Sequence, residues 1–69
     1  MPLTFVKSGD HAKILKINGK DDTRRFLNAL GFVEGADLSV ITEINGDLIV
    51  KIKDARVAIN KTMANRIIV

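Results

Sequence analysis

With 69 residues and no cysteine, the chain has room for one domain, over residues 1–69, and excludes disulfides and thiolate metal sites. Hydrophobic residues make up 46% of the chain and are mostly aliphatic, which predicts a small core and favours association with another chain, including a second copy. The formal net charge is +3, but the basic residues are dispersed among acidic ones, as on a solvated surface, and only Arg24 and Arg25 are adjacent.

Nothing in the sequence resembles a targeting or membrane-spanning segment. No stretch has the pattern of a signal peptide, and no run approaches the ~20 apolar residues that a span requires. We therefore expect a cytoplasmic protein that meets a membrane only through a partner.

The first half of the chain predicts two extended segments, over residues 4–7 and 12–18, followed by one helix over residues 20–31. The helix is expected to receive a cap from Asp21 or Asp22 and to end at Gly31, with Phe32 folding back onto it. Its expected apolar face carries Thr23, Phe26, Leu27 and Leu30.

The second half is dominated by Asn45-Gly46, the strongest hairpin signal in the chain. Pairing Ile44 with Asp47 across this turn gives faces that are not cleanly one-sided, which indicates either a bulge or a longer loop that shifts the register by one residue. Short strands with a tight hairpin and a single helical insertion predict a mainly β fold and a small barrel, because closure removes exposed strand edges. The remaining predicted elements are strands over residues 38–44, 48–53, 55–59 and 67–69 and one helical turn over residues 60–65.

The residues offer little that resembles a catalytic or tight metal site. His11 is the only histidine, and with Ser8 it forms no recognisable nucleophile motif. Asp10 and His11, or the pair Asp21 and Asp22, can contribute ligands to weak Fe²⁺ binding, but no spacing supplies the three or four ligands of a tight site. We assign no catalytic, cofactor-binding or metal-ligating residue and expect a protein that is not an enzyme.

Several short pieces, none specific alone, follow one another in a characteristic order and spacing. They are Leu3-Thr4 with Gly9, then Ile14, Ile17 and Gly19, then Arg25, Leu27 and the run LGFVEGA over residues 30–36, and finally Val57-Ala58-Ile59, Met63-Ala64, Ile67 and Val69. In this order they resemble the ferrous iron transport protein A (FeoA) family over nearly the whole chain. Two positions depart from it. The family commonly has proline where this chain has Glu34, and it often has Leu-Arg after the alanine, where this chain has Ile59-Asn60-Lys61.

The resemblance implies an SH3-like β-barrel in the cytoplasm that assists FeoB, the membrane ferrous-iron transporter with a GTPase domain. It implies a protein-interaction module, for which we expect a partner-binding surface at Arg24, Arg25, Phe32 and Val33, where charge and apolar groups meet at the helix end. Phe32 can instead belong to the core beneath the helix. Two alternatives remain: a small basic nucleic-acid-binding barrel, disfavoured by dispersed charge and few aromatic residues, and a weak transition-metal-binding regulator that depends on His11 or the acids.

Overall fold

The computed structural model describes residues 1–69 and is mainly β, with six short strands. A 3₁₀ turn at Leu3–Phe5 precedes the strands, and no helix is long and apolar enough to cross a membrane. The elements that follow are β1 (His11–Lys13), β2 (Lys16–Ile17), α1 (Asp21–Ala29), β3 (Asp37–Ile44), β4 (Asp47–Ile52), β5 (Ala55–Asn60), α2 (Lys61–Ala64) and β6 (Ile67–Ile68).

The strands form two antiparallel sheets, one in the order β1-β3-β4-β5 and one that pairs β2 with β6. The single extended segment expected over residues 12–18 is divided between them. Ile14 donates its backbone N–H to Ala36 beside β3, whereas Leu15 donates to Ile68 in β6. Because the chain passes from one sheet to the other at this point, β1 and β5 both remain edges, and the expected closure by hydrogen bonds does not occur.

The Asn45-Gly46 hairpin forms as predicted and joins β3 to β4. Its two turn residues have φ of 51° and 87°, the left-handed region that Asn and Gly tolerate best, and Ile44 pairs with Asp47. The bulge that the mixed pattern indicated lies between Val40 and Thr42. It brings the apolar residues of both strands onto one buried face, which carries Leu38, Val40, Leu48, Val50 and Ile52.

Helix α1 has nearly the predicted bounds but a narrower buried face. Leu27 is fully buried, whereas Phe26 is 53% exposed. The N-cap is Lys20, and neither Asp21 nor Asp22 caps the helix, since no side chain bonds to its first amides. Both carboxylates lie in the first turn, where the positive end of the helix dipole favours them.

Phe32 lies in the core, which is the alternative to its expected place on the partner-binding surface. The helix ends with Gly31 N–H donating to Asn28 O and Phe32 N–H donating to Leu27 O, the hydrogen bonds of a Schellman motif. This ending folds Phe32 inward, to 0% exposure. The core holds no polar or charged side chain and consists of Leu3, Val6, Ile14, Leu27, Phe32, Leu38, Val40, Leu48, Val50, Ile52, Ile59, Ala64 and Ile67.

The segment expected to be extended over residues 4–7 is instead a 3₁₀ turn with a bend. Phe5 donates its N–H to Pro2 O and Val6 donates to Leu3 O. In this conformation Leu3 and Val6 point into the core, while Phe5 projects outward. The turn therefore places a large aromatic side chain on the surface.

Candidate functional site

Three of the six large hydrophobic side chains exposed on the surface surround one groove beside β1. Phe5 is 70% exposed, Leu15 63% and Met1 60%. Exposed apolar side chains that lie together are a feature that interaction surfaces share. We call it the β1 groove; it has a volume of about 520 Å³, and its lining also contains Val6, Lys7, Asp10, His11, Ala12, Lys13 and Val69.

Backbone hydrogen bonds hold the walls of the β1 groove in place. The N-terminal ammonium of Met1 donates to Val69 O at 2.8 Å, and Val69 N–H donates to Met1 O at 2.8 Å. The 3₁₀ turn projects Phe5 from one side, and the passage between the two sheets projects Leu15 from the other. Backbone pairing thus fixes where the main chain of these segments lies around the groove.

The polar rim of the β1 groove is mainly basic. Lys7 and Lys13 contribute two positive charges, against one negative charge from Asp10. The Nδ1 atom of His11 lies 2.9 Å from the hydroxyl oxygen of Ser39 on the neighbouring strand. No group of three or more His, Asp or Glu side chains is arranged to hold a metal ion.

The predicted partner-binding residues occupy different environments. Arg24 and Val33 line one shallow pocket at the end of α1, together with Ile17, Asn28 and Glu34. Arg25 is exposed on the same helix but does not line this pocket, and Phe32 lies in the core. Of the four residues, the structure thus brings Arg24 and Val33 together, and Val33 is 37% exposed.

Sequence reasoning missed the β1 groove, although one signal for it was present. Ile14 and Leu15 are consecutive, and successive side chains of an extended chain point to opposite faces. Only Ile14 is therefore buried, which leaves Leu15 outside. Phe5 gave no such signal, because the segment that carries it was expected to be extended.

The departure at Glu34 lies in a turn that forms nonetheless. Ala36 N–H donates to Val33 O at 3.1 Å, and Gly35 has φ of +83°, as in a type II turn. Glu34 occupies the second position of this turn, where proline is favoured. Its backbone N–H donates to no other backbone group.

The sequence matches the family model of the FeoA domain over residues 1–69, which is the full length of the chain. The chain belongs to the FeoA family. It is 32% identical over 68 residues to a protein of Methanocaldococcus jannaschii named for Fe(2+) transport protein A, covering 99% of this chain and 83% of that relative. The family resemblance read from the sequence is therefore confirmed.

Solved FeoA structures share the fold. The crystal structure of an iron uptake regulatory protein (FeoA) is 29% identical, with a TM-score of 0.90 over 97% of this chain and 91% of that one. FeoA from Chlorobium tepidum is 27% identical, with a TM-score of 0.90 over 99% and 67%. FeoA from Stenotrophomonas maltophilia, solved with zinc and described as an SH3 domain protein, is 23% identical, with a TM-score of 0.85 over 99% and 87%. The predicted SH3-like fold is confirmed, with its sheet open.

Proposed function

We propose that this FeoA-family protein is a non-enzymatic accessory protein of ferrous iron uptake. It acts in the cytoplasm by binding to a FeoB-like membrane transporter and GTPase, and it meets the membrane only through that partner. Family membership and the name of the Methanocaldococcus jannaschii relative support the link to ferrous iron transport. The observation that carries the binding role is the β1 groove, which leaves Phe5, Leu15 and Met1 exposed together.

Burial of these side chains contributes favourably to the free energy of association. Fully covering a large apolar side chain contributes about 1.5–3 kcal/mol. Phe5 and Leu15 already have most of their surface free, so a partner that fills the groove gains most of this contribution from each. Since backbone pairing holds the main chain of the groove walls, less of the gain is lost to ordering that main chain.

The pocket of Arg24 and Val33 is a second docking surface in this proposal. It combines a cation with a partly exposed apolar side chain at the end of α1, and Arg25, the next residue after Arg24, is exposed on the same helix. Weak Fe²⁺ binding through His11 or the acids is a separate prediction. It is tested by titrating Fe²⁺ under anaerobic conditions into the protein and its His11→Ala variant, and unchanged affinity removes that histidine.

The test is the affinity of the purified protein for the FeoB-like transporter of the same organism, as its GTPase domain and as the whole transporter in detergent. We expect Leu15→Ser to weaken binding about tenfold or more, since each 1.4 kcal/mol corresponds to a factor of ten. Ile44→Ser is the matched control, because Ile44 is 54% exposed and lies outside the groove. The double variant Arg24→Glu, Arg25→Glu tests the second surface. Absence of binding to the whole transporter would refute the proposal.

A further inference from the structure

We propose that the β1 groove binds an extended segment of a partner protein as an added strand on the open edge of β1. The segment directs apolar side chains into the groove and acidic side chains toward Lys7 and Lys13. This inference rests on the proposed function for the identity of the partner, but the mode of binding is argued from the geometry alone.

The backbone of β1 has an unpaired edge. Hydrogen bonds alternate along an antiparallel strand, so that every second residue points its N–H and C=O away from the neighbour. Asp10 O accepts from Val40 N–H, and Ile14 N–H donates to Ala36 O, so these flanking residues face β3. The alternation therefore turns the backbone groups of His11 and Lys13 outward.

The same edge is already used for strand pairing one step along the chain. Leu15 lies two residues after Lys13, so its N–H points to the same side, where it donates to Ile68 O at 2.7 Å. Strand β6 thus occupies the position beside Leu15 and ends before the outward-facing groups of β1. An added segment pairs with the outward-facing groups of β1 on the same side as the Leu15 pairing with Ile68.

The side chains along this edge select the chemistry of the segment. Ala12 lies on the inner face of β1. It is half-buried and lines the groove together with the exposed side chains of Phe5 and Leu15. Apolar side chains on every second position of the segment meet these groups. On the rim, Lys7 and Lys13 outnumber Asp10, so the intervening positions favour Asp or Glu.

The first experiment measures amide hydrogen exchange by NMR on the intact protein, with and without the bound GTPase domain of the transporter. In the free protein we expect fast exchange at His11 and Lys13, whereas Ile14, whose amide is bonded to Ala36, is the protected internal reference. When the partner binds, strand addition slows exchange at His11 and Lys13. Binding that leaves both rates unchanged would overturn the strand mode while leaving the proposed function intact.

The second experiment needs no transporter and uses synthetic peptides. The probe is an acetylated, amidated heptapeptide that alternates Glu and Val, and two matched versions carry N-methyl groups either on the Val or on the Glu residues. In an extended peptide the N–H groups of the Val residues point to one edge and those of the Glu residues to the other. An added strand pairs with β1 through only one of these edges, so one N-methylated version must lose binding while the other keeps it. If both versions bind as the parent does, or both lose binding equally, the backbone edge is not the contact and the inference is wrong.

Variants of the protein connect the two experiments. Leu15→Ser is expected to weaken the peptide about tenfold, and Lys13→Glu about fivefold. Lys53→Glu, a lysine outside the β1 groove, is the matched control for charge. If these variants lose the peptide but keep the transporter, strand addition stands and the transporter docks elsewhere. If a Lys-and-Val peptide binds as tightly as the Glu-and-Val probe, the acidic selection is refuted.

Discussion

The three phenylalanines provide a direct test of how the structure divides core from surface. Phe32 is fully buried, Phe26 is 53% exposed on α1, and Phe5 is 70% exposed in the β1 groove. Replacing each by alanine removes the same atoms from three environments. We expect Phe32→Ala to destabilise the fold severely, Phe26→Ala to have a small effect, and Phe5→Ala to impair binding without impairing folding.

The magnitude for Phe32 follows from its burial. Truncation of a buried phenylalanine costs about 3–5 kcal/mol, as lost transfer free energy plus the cavity left behind. A domain of this length has a free energy of unfolding of about 3–10 kcal/mol in total. Phe32→Ala therefore removes a large part of the stability. For Phe26→Ala, the loss of partial burial is offset by the better helix propensity of alanine, so a change within about 1 kcal/mol is expected.

The assay is urea unfolding followed by far-UV circular dichroism, with Phe32→Leu as a milder core variant. For an m-value of about 1 kcal/mol per molar urea, Phe32→Ala moves the midpoint by about 3–5 M or leaves the chain unfolded in water. Phe32→Leu should retain a cooperative transition. Equal midpoints for Phe32→Ala and Phe26→Ala would refute the assignment of Phe32 to the core and restore it as a candidate for partner binding.

Three further changes have smaller expected effects on the free energy of unfolding, all measurable by urea unfolding. Glu34→Pro should raise it by about 0.4–1 kcal/mol, because the turn position suits proline and the lost N–H has no backbone partner; a decrease would contradict the turn geometry. Asn60→Ala should lower it by about 0.5–2 kcal/mol through loss of the cap on α2, whereas the exposed Asn28→Ala should not. Lys61→Ala should change it by less than about 1 kcal/mol, since the pair with Glu43, at 2.9 Å, is exposed; a larger loss would show that the pair is coupled to the fold.

The parts of the fold that follow local rules could be predicted from the sequence. The Asn45-Gly46 turn, the left-handed stop at Gly31 after α1 and the helical turn after Asn60 all depend on residues within a few positions of one another. The SH3-like fold was predicted from the family resemblance. The hydrophobic periodicity of the strands alone predicted only a small barrel. What the sequence did not show was the division of residues 12–18 between two sheets, because that depends on pairing with the distant residues Ala36 and Ile68.

The candidate site was predicted less well than the fold, because it too depends on contacts between residues that are distant in the sequence. Phe32 was assigned to a docking surface from its position after the helix, but the Schellman ending turns it inward. The β1 groove gathers residues from both ends of the chain and from the passage between the sheets. Met1 and Val69 are neighbours only because the terminal segments pair. No local pattern reports such a neighbourhood.

The two open edges of the four-stranded sheet differ in a way that favours docking at β1. Along β5, the longer edge, Arg56 and Asn60 are exposed, and polar or charged side chains on an edge discourage strand pairing. Along β1, the outward backbone groups lie beside Phe5 and Leu15, so a pairing segment also buries apolar surface. Hydrogen bonds are available at either edge, but only β1 adds apolar burial to them. A partner strand should therefore select β1, and protection of β5 amides on binding would contradict this selection.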